Sequence, residues 1–537
     1  MSFRVLTAEQ MQKVDADTIA GGVPGIELME RAGRGVAGII QARFPRGHAA
    51  IFVGPGNNGG DGLVVARLLI EAGWSCSVHL LKPGRECTPD TATNYERLAT
   101  VRASLREFDA NAPDWAAQAA SDLPSATVLV DSIFGTGFSG APRDRPAEVI
   151  ALINRNSDGS SSAGRHVPVV SIDIPSGVNG TTAAVDGEAV QADLTVTIGA
   201  AKTGLLFHPG RANVGELEVI DIGFPEKIVE KHSDRVFYLG REAAAAKLPA
   251  RVSDIHKYKA GTALVIAGSE RYRGAALLAG EAALRSGCGM LYLAVPEGIH
   301  AEIPTTLREA IVVALPQTKD GTIARGAHDT LASYVEKASA VAIGPGLGRN
   351  DETDAFVREF VARCPKPVVV DADGLTAFAG REMELKKAPA PATITPHGGE
   401  LSRLTGDKIP TAALDRIAYS VTAAEKLGVT LVHKGAPTLI AGRDGEVWVN
   451  GSGTSALAKG GTGDVLTGLV VSFLAQAEAA GGGVDSSLEA ACAACYLHGR
   501  AGEIEASERG ERGVIASDLF VAVGRAMVEL EATRTGR

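Results

Sequence analysis

The chain has 537 residues, 45% hydrophobic and 22% charged, with a formal net charge of −10 at pH 7. At roughly 100–200 residues per domain this allows two to four domains, and acids and bases are mixed along it, which excludes a basic face for nucleic acid or anionic membrane. No apolar run could span a bilayer and the opening Met1-Ser2-Phe3-Arg4-Val5-Leu6-Thr7 carries no signal region, so a cytoplasmic protein is expected.

In chain order, Ala49 to Val53 reads as a strand, Leu63 to Ala72 as a helix and Ser77 to Leu81 as the next strand, a βαβ unit. Strands follow at Thr127 to Val130, Val167 to Ile172, Leu194 to Ile198 and Leu217 to Ile220, while Asn156 to Gly164, rich in Ser and Gly, reads as a solvated loop. Between Pro225 and Tyr258 the alternation weakens and charges accumulate, which places a boundary near residue 230 and gives domains 1–230 and 231–537. Strands resume at Thr262 to Ile266, Met290 to Val295, Ala340 to Ile343, Pro367 to Val370, Ala392 to Thr395 and Thr430 to His433, and the last clear element is a helix from Asp464 to Ala475. No fixed-period repeat appears, so the pattern is α/β, with parallel sheets covered by helices on both faces. Ligands then belong beyond the carboxyl ends of the strands.

Six cysteines in such a chain do not form a disulfide framework. Cys492 and Cys495 make a CxxC, but Ala491 to Leu497 reads as a buried helix and no second CxxC completes a zinc site.

After the first strand comes Gly54-Pro55-Gly56-Asn57-Asn58-Gly59-Gly60-Asp61-Gly62, formally a GxGxxG. A nicotinamide oxidoreductase would place an acid at the end of the second strand, where Lys82 and Pro83 follow here. Asp61, at the helix start, would also repel a pyrophosphate unless a cation intervened, so the loop reads as a polar site with its own chemistry. Asp131 opens into the Gly-rich Ser132-Ile133-Phe134-Gly135-Thr136-Gly137-Phe138-Ser139-Gly140, and Asp173 into Ile174-Pro175-Ser176-Gly177. Either Asp could simply fix a turn; three polar strand ends in one domain favour a shared site.

These segments, with Leu28-Met29-Glu30-Arg31-Ala32-Gly33, resemble the NAD(P)H-hydrate epimerase family over nearly the whole first half. The resemblance implies a Rossmann-like three-layer domain that binds hydrated NADH and NADPH. Its substrate residues would be Asn57, Asn58, Gly59, Gly60 and Asp61, the loop Gly135-Thr136-Gly137-Phe138-Ser139-Gly140-Ala141, and Asp173. It also implies a potassium ion (K+) on Asn58, Asp131 and Ser176, oxygen donors that suit a hard cation. Asp173 is the choice for acid/base work, since inverting a carbon that bears a hydroxyl requires proton transfer.

In the second half Gly460-Gly461-Thr462-Gly463-Asp464 opens a helix, where backbone amides and the dipole make a phosphate site. The alternative is a Gly-rich turn with Asp464 as helix cap. No GxxxxGK[ST] occurs, which argues against a P-loop NTPase. Gly344-Pro345-Gly346-Leu347-Gly348, Thr395-Pro396-His397-Gly398-Gly399-Glu400 and His433-Lys434-Gly435-Ala436-Pro437-Thr438 each follow a strand.

Together these resemble the ribokinase-like fold, and within it the ADP/ATP-dependent NAD(P)H-hydrate dehydratases, over most of residues 235–530. The resemblance implies that Lys434, Gly435, Ala436, Pro437, Thr438 and Gly463 contact ADP or ATP with Mg2+. It further implies that Ala275, Gly346, His397 and Asp464 contact the hydrate, with Asp464 as the base. Many ribokinase-like enzymes carry Asn-x-x-Glu where this chain has His397-Gly398-Gly399-Glu400, so Glu400 is not assigned as a metal ligand. The leading reading is a bifunctional, homo-oligomeric repair enzyme that epimerises the R and S hydrates and dehydrates the S form. A small-molecule kinase and a nucleotide-responsive binding protein remain as alternatives at this point, and ADP is the nucleotide that bacterial members of the family favour.

Overall fold

A computed structural model of the chain describes residues 3–98, 101, 105–157, 166–483 and 486–535. It divides into two units, Phe3–Val236 and Phe237–Arg537.

In the first unit seven parallel strands lie in the order Leu105–Asp109, Ser75–Leu80, His48–Val53, Val128–Ser132, Val169–Ile172, Leu194–Ile198 and Glu216–Ile220. The central strands are buried along their length and read as continuous apolar runs, as strands covered on both faces must. Successive side chains feed two separate cores: Ala49, Ile51 and Val53 join one, Ala50 and Phe52 the other. The unit is therefore a three-layer, Rossmann-like α/β fold. His48–Val53 pairs with both Ser75–Leu80 and Val128–Ser132, so strand order reverses there and a crevice opens at its carboxyl end.

The second unit has ten strands, from Val236–Leu239 through Val447–Asn450, Leu439–Ala441, Thr430–His433, Ala392–Ile394, Val368–Val370, Ala340–Ile343, Thr262–Ile266 and Met290–Pro296 to Ile311–Leu315. Pairing is parallel from Thr430–His433 to Ile311–Leu315 and antiparallel on either side of Leu439–Ala441. The order reverses between Thr262–Ile266 and Ala340–Ile343, and small residues Ala276, Ala279, Ala282 and Ala283 let the helix Arg273–Arg285 lie close in the core.

Three expectations need correction. Asp464 to Ala475 is part of a longer helix, Thr462–Ala479, and is not the last element: the buried helix read at Ala491 to Leu497 extends over Ser486–Arg509, and Leu519–Thr535 follows. Both are rich in Ala and apolar on several faces, so neither shows the one-sided stripe of a surface helix. Asn156 and Ser157 close a helix, Asp144–Ser157, and the rest of the loop expected there lies outside the described residues. The segment Asn57 to Gly62 forms the opening turns of the helix Asn57–Glu71, where a loop was expected.

Candidate active sites

That helical start is possible because its glycines pack where no side chain fits. A Cβ on Gly59 would stand 2.0 Å from the Gly54 carbonyl oxygen, and one on Gly62 would stand 2.1 Å from Ser132 Oγ. The close approach presses the first turn onto the sheet and aims Asn57, Asn58 and Asp61 into a cavity of about 880 Å³ that Gly135 to Ser139, Asp173 and Lys202 also line. Gly140, Ala141, Gly59 and Gly60 do not line it, and Gly60 packs instead against Met29 and Thr91.

Asp173 sits at φ 67, a left-handed conformation in which Asp is strained but tolerated. Its Oδ1 accepts from Lys202 Nζ at 2.5 Å, and from Thr197 Oγ1 and the Ile198 amide at 3.2 Å each. Lys202 is 1% exposed and its other donors go to the Ile198 carbonyl at 2.7 Å and Thr197 Oγ1 at 3.1 Å. Burial pushes Asp61 well above the usual carboxylate range, and the nearby charges of Asp173 and Asp15 add to it. Burial likewise raises Asp15 to about 6, against the pull of Lys202. The cavity therefore holds carboxyls in different environments, one ion-paired and two favouring the proton, the pattern acid/base chemistry uses.

Asp131 is buried behind this cavity. Its carboxylate accepts from Ser176 Oγ at 2.6 Å, Ser171 Oγ at 2.8 Å, and the Ser176 and Ile133 amides at 2.9 and 3.2 Å. Burial raises its pKa against those donors. The backbone of Phe134 links the three residues implied for potassium: its amide donates to Ser176 Oγ at 2.9 Å and its carbonyl accepts from Asn58 Nδ2 at 2.8 Å. Asn58 Oδ1 is buried without a hydrogen-bond partner. A buried orphan acceptor beside hydroxyl and carboxylate oxygens fits a hard monovalent cation.

In the second unit the helix Thr462–Ala479 starts after Gly461, whose φ of 91 favours glycine, and Thr462, Gly463 and Asp464 form its first turn. Lys434 Nζ lies 3.3 Å from where a Cβ on Gly463 would stand, so the two segments implied for the nucleotide meet. Lys434 also lies 3.2 Å from Asp371 Oδ1 and 3.8 Å from Glu400 Oε2. Asp371, 1% exposed, accepts from Thr467 Oγ1 at 2.7 Å, one turn beyond Asp464. Burial raises Asp464 to about 7, Asp371 adds to the rise and Lys434 opposes it. Asp464 is thus a carboxyl poised near neutrality beside a cation and a helix N-terminus.

Gly346, at φ 61, packs so tightly that a Cβ there would stand 2.7 Å from Ala275 Cβ, which joins two of the residues implied for the hydrate. His397 caps the helix Gly398–Thr405: its Nδ1 accepts from the Gly399 and Glu400 amides at 3.0 and 3.3 Å, while Glu400 accepts from the His397 amide at 2.8 Å. Glu400 is thereby engaged in a capping box. The bridge between His397 and Lys434 keeps that helix start beside the loop Lys434 to Thr438.

Lys202, Asp15 and Asp371 were not found by sequence reasoning. Lys202 and Asp371 follow strands closely enough to have been candidates, at Gly199-Ala200-Ala201-Lys202 and Val368-Val369-Val370-Asp371. Asp15 lies in the helix Ala8–Ala20, where a polar residue looks like part of a solvated face. Cys492 and Cys495 are buried free thiols one turn apart in Ser486–Arg509.

Fold and sites define a two-unit α/β enzyme with a carboxyl-lined cavity in one unit and a glycine-opened helix start beside a lysine and a carboxyl in the other. Residues 25–204 match the model of the YjeF-related protein N-terminus and residues 263–524 that of NAD(P)H-hydrate dehydratase. The chain is 37% identical over 524 residues to the bifunctional NAD(P)H-hydrate repair enzyme Nnr of Moorella thermoacetica, covering 96% of this chain and 95% of that protein. It is 38% identical over 539 residues to the protein of that name from Salinibacter ruber, covering 98% and 96%. The chain belongs to the family of bifunctional NAD(P)H-hydrate repair enzymes. Among solved structures it is similar to the ADP/ATP-dependent NAD(P)H-hydrate dehydratase of Bacillus subtilis co-crystallised with ATP/Mg2+, 34% identical with a TM-score of 0.46, covering 55% of this chain and 98% of that one. Among the described residues no helix is long and apolar enough to cross a membrane.

Proposed function

We propose that the two sites divide the repair of hydrated NAD(P)H between them, with epimerisation in residues 1–230 and dehydration in 231–537. The chain is a bifunctional repair enzyme: an epimerase for the R and S hydrates and an ADP- or ATP-dependent dehydratase that returns the S form to NAD(P)H.

In the epimerase cavity Asp173, held by Lys202 through Oδ1, takes a proton from the substrate, and Asp61 holds a proton to return. Asn57, Asn58 and the Gly135 to Ala141 loop hold the nicotinamide ring and its attached groups. Asn58, Asp131 and Ser176 would hold the potassium ion, which supplies a fixed positive charge when bound.

In the second unit Lys434 to Thr438 and Gly463 bind the nucleotide, and Ala275, Gly346 and His397 bind the hydrate. Asp464 accepts the proton of the hydrate hydroxyl as that oxygen bonds to the terminal phosphorus and the bridging P–O bond breaks. The ring nitrogen lone pair then expels phosphate to leave an iminium, and loss of a proton from the adjacent ring carbon to the departing phosphate restores the dihydronicotinamide ring. Mg2+ held on the nucleotide supplies charge neutralisation of the transferred phosphoryl group. ADP as the nucleotide and a homo-oligomeric state rest on the family resemblance, and a cytoplasmic location on the sequence pattern.

The observation that carries this reading is the convergence on Gly463 of Lys434 and a carboxyl, Asp464, raised to about 7. It is tested by supplying each hydrate epimer with ADP or ATP and following the reduced-nicotinamide absorbance. Return of absorbance from both epimers is expected. A stable phosphorylated product with no return would instead mark a small-molecule kinase.

A further inference from the structure

The helix Ala413–Leu427 carries Arg416, whose side chain is 8% exposed yet has no carboxylate partner among the described residues. Its Nη2 donates to the His433 carbonyl at 3.4 Å. Burial alone acts on its charge, lowering its pKa to about 10, with no neighbouring charge to offset it. The guanidinium packs against Gly435: Nη2, Cζ and Nη1 stand 2.3, 3.0 and 3.3 Å from where a Cβ on that glycine would be. Any other residue at 435 would displace it. Lys434, the preceding residue, is by contrast already faced by Asp371 and Glu400.

A buried cation is ordinarily paired. Arg416 is left unpaired at the back of the loop assigned to the nucleotide, with a rigid fork of donors that matches a phosphate in shape and charge. We propose that Arg416 is a phosphate-binding residue of the dehydratase unit, its guanidinium taking a phosphate of the adenine nucleotide held on Lys434 to Thr438. The proposal rests on the assignment of that loop to the nucleotide. It also gives Gly435 a reason: the glycine makes room for the guanidinium and the phosphate on one stretch of backbone.

Calorimetric titration of the full chain with adenosine, AMP and ADP, for wild type, Arg416→Met, Arg416→Lys and Lys434→Met, tests it alongside the melting temperature of each apo-protein. Loss of a charge-assisted contact predicts that Arg416→Met binds ADP at least about tenfold more weakly while adenosine binding changes less than about twofold. Arg416→Lys should fall between. The apo Arg416→Met protein should melt no lower than wild type, because an uncompensated buried charge has been removed. A packing role would move the other way: apo melting would drop and adenosine and ADP would weaken together, which overturns the proposal, as would unchanged ADP affinity. If ADP binds Lys434→Met as tightly as wild type, the loop assignment itself fails and the proposal with it. Arg416→Met alone retaining ADP affinity overturns only the role of Arg416.

Discussion

Lys202 Nζ lies 2.5 Å from Asp173 Oδ1, and the ammonium's remaining donors are taken by Ile198 and Thr197. The ion pair therefore fixes one oxygen of Asp173 and leaves the other to the cavity, at a residue whose backbone is already held in a left-handed conformation. The position of Asp173 is thus set by the fold before substrate arrives.

Replacing Asp173 with Asn should lower epimerisation by about 10²–10⁴-fold, the usual weight of a positioned acid/base group, and leave dehydration of the S hydrate unchanged. Separate assays on each epimer check this.

Removing the other partner is expected to cost stability as well. Lys202→Met leaves a carboxylate without its cation beside a buried stem, and loss of one member of such a pair costs about 3–5 kcal/mol. Urea titration should show that loss, and the Lys202→Met/Asp173→Asn double variant should recover most of it.

Dehydration should follow the ionisation of Asp464. With its pKa raised to about 7, the rate should climb through neutrality and level off above it. Asp371 is the largest neighbouring charge behind that rise, so Asp371→Asn should shift the midpoint of the pH profile below that of wild type. The stability effect has the opposite sign to the rate. A carboxyl raised in the folded state favours folding when protonated, so its contribution is present below the ordinary carboxylate range and is lost as pH rises through about 7. Asp464→Asn should accordingly abolish dehydration yet melt higher than wild type at pH values above that point.

Gly346→Ala should raise the KM for the hydrate without touching epimerisation. Its φ of 61 disfavours any Cβ, and that Cβ would press Ala275 and Tyr272 from 2.7 and 2.9 Å; the backbone alone costs about 1–2 kcal/mol.

Exchange of potassium for a large organic cation should slow epimerisation and spare dehydration. The orphaned Asn58 Oδ1 lies in the first unit alone, and Asn58→Ala should make epimerisation insensitive to the exchange.

Much of this was legible because α/β chemistry concentrates at strand ends. The strands that carry Asp131, Asp173, Gly346, His397 and Lys434 are short apolar runs, and the polar residues after them stand out against Val and Ile. What escaped has physical reasons. Asn57 to Gly62 looked like a loop because three glycines and two asparagines disfavour helix, yet the tight approach to Gly54 and Ser132 overrides that propensity. The helix Leu519–Thr535 carries no clean polar face, so period alone does not reveal it, and the same lack hid the length of Ser486–Arg509 beyond Ala491 to Leu497. Lys202 and Asp371 act by pairing with residues 29 and 63 positions away, a relation only the fold creates.

The central claim is that two independent sites act in sequence on one damaged cofactor. The most direct measurement supplies a mixture of both hydrate epimers with ADP or ATP to wild type, Asp173→Asn and Asp464→Asn, and resolves the remaining epimers by chromatography over time. Wild type should consume both; Asp173→Asn should exhaust the S form and leave the R form; Asp464→Asn should interconvert the two without restoring NAD(P)H. Consumption of both epimers at wild-type rate by Asp173→Asn, or restoration of NAD(P)H by Asp464→Asn, would contradict it.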